Sequence, residues 1–348
     1  MEKGIDHSCV VYRCFDFIIQ EKKCFTRHID NSESEKEDAE MPQGIYLPEG
    51  HLLEHSDNRK YISSEEGLRQ AWQEGRILEG IATMCDDQRD LQVRIGPWKG
   101  RIPRKEAGLG ADVGKMREIA ILSRVGKPIC FKIIGKQGEE WLLSRRIVQE
   151  EAARWMQSHL QPGEVIQATV THLEQFGAFV DIGCGLISMI GIENISVSRI
   201  RHSAERFALG QKIFAVVLRK EPGGRICLTH RELLGTWEQN AEKLQVGSAV
   251  SGIVRGVESY GVFIELYPNL SGLAEPCAEV YPGMQMAVYI KSILPDRMKI
   301  KLSLLDKLPG EGKRYITAED YYIQEGRLTR WQYQPDRCIR QCVETVFA

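Results

Sequence analysis

The sequence predicts a mostly β chain built as three tandem small barrels, and three observations carry that prediction. A glycine-led opening occurs three times, at Gly75-Arg-Ile-Leu-Glu-Gly, Gly163-Glu-Val-Ile-Gln-Ala and Gly247-Ser-Ala-Val-Ser-Gly, spaced by 88 and 84 residues. The second and third openings lead into alternating polar and apolar residues interrupted by a glycine, the pattern of two strands joined by a tight bend. All three units close on a hairpin pattern: Phe131-Lys-Ile-Ile to Ser144, Val216-Val-Leu to Thr229, and Val288-Tyr-Ile-Lys to Ser303. About five short strands in roughly 70 residues is the arithmetic of a five-stranded Greek-key barrel of the OB type. The predicted architecture is three such barrels joined by short helices, with an N-terminal extension and a small C-terminal tail.

In chain order, residues 1–40 form the extension. Its end, Asn31-Ser-Glu-Ser-Glu-Lys-Glu-Asp-Ala-Glu, has no apolar side chain larger than Ala and cannot build a core, so it reads as disordered. Met41 follows at once, and the extension is either loosely attached or a product of start-codon choice. Residues 41–74 are an N-terminal segment with a short helix, 75–147 the first barrel, 162–232 the second and 246–305 the third. Between them, 148–161 and 233–245 are helical connectors, where Ala, Trp, Leu and Glu recur at helical spacing over Val148 to Leu160 and Arg231 to Leu244. The tail, 306–348, carries Thr317 and Asp320 at the spacing of a helix-start box. Its aromatics Tyr321, Tyr322, Trp331, Tyr333 and Phe347 either pack against the third barrel, the default since aromatics favour burial, or reach for a partner.

Composition narrows the function classes. With 43% hydrophobic and 27% charged residues, the 348-residue chain lies near the globular average. No apolar run reaches the ~20 residues of a bilayer span, and no basic then apolar leader is visible, which points to the cytoplasm. The net charge of -2 is unevenly spread. Residues 1–75 hold 9 Lys/Arg against 16 Asp/Glu, whereas 76–147 hold 15 against 9. Basic charge is thus local to the first barrel, which disfavours a strongly electrostatic polyanion binder. The ten cysteines are mostly single and set in apolar runs, as reduced core thiols are. Cys9, Cys14 and Cys24 with His7 and His28, and Cys338 with Cys342, lack the Cys-x-x-Cys spacing of zinc sites, so no metal is expected. No Walker loop, Gly-x-Ser-x-Gly elbow or His-Glu-x-x-His helix occurs, and Gly108-Leu-Gly-Ala-Asp-Val-Gly reads as a loop. No enzyme, cofactor or small-molecule substrate is expected.

Three separated blocks carry a resemblance. Phe176-Gly-Ala-Phe-Val-Asp-Ile, then Ile195-Ser-Val-Ser-Arg-Ile-Arg-His, then Gly-Gly-Arg225-Ile-Cys-Leu-Thr-His-Arg-Glu-Leu resemble the repeated RNA-binding S1 motif of bacterial small-subunit ribosomal S1 proteins, in a short form. The third unit repeats the blocks with Tyr260-Gly-Val-Phe-Ile-Glu-Leu, Asn269-Leu-Ser-Gly-Leu-Ala-Glu and Arg297-Met-Lys-Ile-Lys-Leu-Ser. The first is degenerate, with Asp86, Asp87, Gln88 and Arg89 where the aromatics would stand. The resemblance covers about 76–305.

It implies single-stranded RNA, specifically mRNA, and the small ribosomal subunit as partners, with no membrane. Rings exposed on a barrel face stack unpaired bases at roughly 1–3 kcal/mol each, whatever the base. Phe176 with Phe179 and Tyr260 with Phe263 are the implied platforms, although from composition alone these rings fill the core equally well. Arg225 matches the motif's arginine and Lys299 takes its place in the third unit, while the motif's histidine falls on Gly191 and on Glu275, neither able to serve. Arg199 and Arg201, beside His202, lie in a loop where they could track a backbone. Arg101, Arg104, Lys105, Arg145 and Arg146 of the first barrel suit docking. The competing reading is a protein–protein adaptor, or an accessory module of a ribosome-associated or RNA-processing enzyme, making no base contacts.

Overall fold

The computed structural model describes residues 46–310, 312–338 and 343–347. The expectations for residues 1–40, and for Cys342, lie outside them. The described chain divides into two compact units: one holds the part up to Leu160 with Asp181–Ile187 and Glu221–Arg225, the other Gln161–Val180, Ser188–Lys220 and the chain from Ile226 on.

The first unit opens on two helices, α1 (Ser56–Ile62) and α2 (Glu65–Glu74). The Ser64 hydroxyl accepts from the Gly67 N–H to start α2, and Gly75 at φ 63° ends it, a left-handed turn that costs glycine no Cβ clash. The first barrel follows: β1 (Leu78–Cys85), β2 (Leu91–Ile95), β3 (Trp98–Ile102), β4 (Pro128–Gln137) and β5 (Glu140–Ser144). It closes in the order β1-β2-β3-β5-β4, with β3 parallel to β5 through Gly100 and Trp141. Leu78, Leu91, Ile95, Phe131, Trp141 and Leu143 fill it, joined by Leu68 and Ala71 from α2. A short helix, α3 (Glu118–Leu122), lies in the long β3–β4 connection. The expected connector is α4 (Arg145–His159), which starts earlier than the periodicity suggests because the Ser144 hydroxyl at the end of β5 accepts from the Ile147 N–H.

The second unit carries most of barrel two and all of barrel three. Barrel two comprises β6 (Val165–Glu174), β7 (Gly177–Asp181), β8 (Ile187–Gly191), β9 (Lys212–Lys220) and β10 (Ile226–Thr229), and closes through parallel pairing of β8 with β10. The predicted helix over 231–244 is broken. A 3-10 turn at Arg231–Leu234 meets Gly235 at φ 77°, and Thr236 then starts a separate short helix, α5 (Trp237–Ala241), with a full capping box.

Barrel three comprises β11 (Ala249–Glu258), β12 (Gly261–Tyr267), β13 (Leu270–Ala274), β14 (Gln285–Leu294) and β15 (Lys299–Leu308). Its closure again pairs β13 parallel to β15, and β15 runs past the expected end at 305. Three closed five-stranded barrels of one plan are therefore present, as the repeats predict.

The tail packs, though not on barrel three alone, since Tyr321 meets Phe214 of β9 and His230 edge to face. Trp331, Tyr333 and Phe347 are buried with Val254, Ile264 and Val288 of barrel three and with Val216 and Leu233. A small sheet pairs β16 (Arg330–Gln332) with β17 (Glu344–Val346). The Thr317 and Asp320 box caps only a three-residue turn, Ala318–Asp320. Among the described residues no helix is long and apolar enough to cross a membrane.

Candidate nucleic-acid interface

Strand register decides which side chains share the outer face of each barrel. In barrel three Gly256 pairs with Phe263, Phe263 with Leu273, Leu273 with Lys301, and Lys301 with Ser292, one row across all five strands. The equivalent row of barrel one is Met84, Gln92, Arg101, Leu142 and Gly135. Barrel two repeats its far end with Met189, Cys227 and Arg219.

The row exists because each first strand changes face midway. In β11 the pairing with β12 slips between Val254 and Gly256, leaving Arg255 as an extra residue, and in β1 it slips between Ala82 and Met84. Such a bulge re-aims the following side chain. Barrel two shows the same reversal in burial: Ala168 and Val170 face inward, yet His172, next in that alternation, is exposed.

The rings stand on this face. Phe176 and Phe179 meet edge to face with centroids 6.0 Å apart at 88°, and Tyr260 and Phe263 repeat the arrangement at 6.1 Å and 89°. Phe176 is 47% and Tyr260 64% exposed, while Phe179 and Phe263 are half-buried, so neither pair belongs to the barrel core. The glycine following each outer ring serves the backbone rather than a bound base. A Cβ on Gly177 would lie 2.3 Å from the Ile190 carbonyl oxygen, and one on Gly261 would lie 2.6 Å from that of Ala274.

His172, which the sequence reading passed over, joins the first pair. Its ring centroid lies 6.3 Å from that of Phe179, tilted by 40°, and its Nε2 is 2.9 Å from Glu174 Oε1. Lys301 was also missed, although the alternation Lys299-Ile-Lys301 signals two lysines on one face. Both are exposed on β15.

The remaining predicted contacts scatter. Arg225 lies in the turn between β9 and β10, half-buried, and 3.4 Å from Glu221 Oε2. Arg199 and Arg201 are exposed in the loop after β8, and the Arg201 N–H donates to Glu205 Oε1. Gly191 ends β8, buried, with no side chain to offer. Glu275 is exposed and pairs with Lys291 at 2.8 Å, which lowers its pKa and offsets the repulsion expected toward phosphate.

The docking set needs correction. Arg145 is buried, and its guanidinium donates at 2.7 and 2.9 Å to both oxygens of Glu49, so it cannot reach a partner. Arg101 is held by Asp90, Glu140 and Gln137. Arg146 is held by Glu106 and Glu150. Arg104 is exposed and pairs with Glu118 at 3.2 Å, and Lys105 is exposed. Much of the basic excess of barrel one is thus spent on internal pairing. With Gln92 where the other barrels carry a ring, that barrel has no aromatic pair on its face. Among the described residues no His, Cys, Asp and Glu cluster is arranged to hold a metal.

The family model of the S1 RNA binding domain matches residues 159–231, the span of barrel two. The small ribosomal subunit protein bS1 of Leuconostoc lactis is 32% identical over 180 residues, covering 47% of this chain and 42% of the relative. That of Rhizobium meliloti is 26% identical over 225 residues, covering 60% and 39%. A bS1 homolog of Bacillus cereus is 31% identical over 224 residues, covering 61% and 56%. The chain spans about two fifths to just over half the length of these relatives. One barrel plan is used three times, its middle copy matches the S1 RNA binding domain, and the chain is similar to bacterial bS1 over part of that protein's length.

Proposed function

We propose that the chain binds single-stranded RNA without catalysis, stacking bases on Phe176 and Phe179 in barrel two and on Tyr260 and Phe263 in barrel three. The observation that supports this reading is the repeated edge-to-face pair, one ring outermost and one half-buried, on equivalent strands of two barrels. A solvent-facing ring beside a fixed one offers a π-face to any base. Arg225, Lys299, Arg199 and Arg201 are the proposed phosphate contacts, and the Lys299 ammonium gives a weaker contact than the planar Arg225 guanidinium. We extend the reading to mRNA held at the small ribosomal subunit, in support of translation, and so to the cytoplasm; similarity to bS1 supports the ribosomal part. Barrel one, with no aromatic pair on its face, is the docking module, through Arg104 and Lys105.

The test is binding of a labelled single-stranded RNA across a salt series, comparing the wild type with a protein carrying Ala at Phe176, Phe179, Tyr260 and Phe263, each checked for folding. Stacking predicts a loss of several kcal/mol with little change in salt slope. Equal binding by the two proteins would leave phosphate attraction alone and overturn the stacking reading. No binding by the wild type would favour the adaptor.

A further inference from the structure

Barrels two and three carry matched ring pairs but differ at the position beside the half-buried ring. Four residues before the outermost ring stands His172 in barrel two and Gly256 in barrel three. Simple alternation places both on the inner side of their strands, but the change of face in β6 and the bulge in β11 turn them outward beside the half-buried ring. The His172 side chain is 63% exposed, so no packing requirement explains an imidazole there. Its hydrogen bond to Glu174 holds one ring edge, and its centroid is 6.3 Å from that of Phe179, within the range of interacting rings. Gly256 leaves the matching place beside Phe263 empty.

We propose that His172 is a third stacking ring of barrel two, extending the platform of Phe176 and Phe179 by one base of a bound single strand, and that Gly256 makes barrel three the shorter platform. The inference rests on the RNA-binding reading above. The vacancy at Gly256 is open to a side chain: a Cβ there meets only Phe263 Cδ2, at 3.8 Å, which is ordinary contact. The glycine also needs no left-handed backbone. The barrel-three platform can therefore be lengthened by one substitution.

The experiment measures affinity for a labelled single-stranded RNA in the full chain, with one platform silenced at a time. With Tyr260 and Phe263 changed to Ala, His172→Ala is expected to weaken binding about tenfold at unchanged salt slope, and His172→Phe to retain it. With Phe176 and Phe179 changed to Ala, Gly256→His is expected to strengthen binding by a similar factor. Thermal melts of each variant separate lost contacts from lost folding. If Phe179→Ala weakens binding while His172→Ala does not, the inference is overturned and the RNA-binding reading stands. Loss in His172→Phe equal to that in His172→Ala would overturn stacking by this ring, as would an unchanged affinity in Gly256→His. Wild-type protein that binds no RNA removes the reading beneath both.

Discussion

Arg206 and Glu265 form an ion pair with no solvent exposure on either side chain, Nη2 to Oε2 at 2.5 Å, between the turn that precedes β9 and strand β12. Arg255, the bulge residue of β11, donates to the same Glu265 oxygen at 2.6 Å and also pairs with Glu205. Two cations and two carboxylates thus join barrels two and three inside one unit. Desolvation makes a buried pair no better than an apolar contact, but removing one partner strands the other charge. Glu265→Gln is expected to cost about 3–5 kcal/mol of stability. Urea unfolding of the full chain measures it, and a midpoint within error of wild type would refute the buried pair.

The first unit carries its own version. Arg145→Ala leaves the Glu49 carboxylate buried with Arg124, 3.4 Å away, as its remaining cation and the Cys130 N–H as a donor, and a loss of about 3–5 kcal/mol is expected. Lys105→Ala, at an exposed position, should change stability by less than about 0.5 kcal/mol. Parallel denaturation curves distinguish the structural arginine from the surface lysine.

His230 sets a pH dependence. Its Nδ1 lies 2.8 Å from the Ile195 carbonyl oxygen and its Nε2 2.9 Å from the Tyr321 hydroxyl, and burial lowers its pKa to about 4. Because the unfolded imidazole titrates near 6.5, the unfolded chain takes up the proton first as pH falls. Stability from this group is present in full above about 6.5 and declines toward pH 4, by roughly 3 kcal/mol in all. Unfolding measured at several pH values, against His230→Gln, should show a shallower decline in the variant. Parallel curves would exclude His230 as the source.

Glycines of the site divide into two kinds. Gly177→Ala and Gly261→Ala drive a methyl into a carbonyl oxygen and should cost about 1–3 kcal/mol each. Gly256→Ala meets nothing tight and should be neutral or slightly stabilising, since it removes unfolded-state freedom. Melting temperatures of the three variants check the order, and Gly256→Ala as damaging as Gly177→Ala would contradict the open face.

Three barrels, their order and the ring pairs were legible because each rests on local pattern. Gly75, Gly163 and Gly247 mark repeating units, alternation marks strands, and an i, i+3 aromatic pair around a glycine stands out without any tertiary contact. The fate of the basic residues was not legible. Arg145 reads as a surface cation until Glu49, 96 residues earlier, is found beside it, and Arg206 meets Glu265 across 59 residues. The helical pattern over 231–244 is likewise real as periodicity, but Gly235 and the Thr236 cap divide it. Most telling is His172. The period of two assigns it to the core with Ala168 and Val170, and only a change of face within the strand brings it out beside Phe179. Sequence by itself determined the number of barrels and which rings they carry, since strand periodicity is set within a few residues. Tertiary structure alone decided which charges are neutralised and which side chains share a face, because ion pairing and register depend on residues that meet only when the barrel closes.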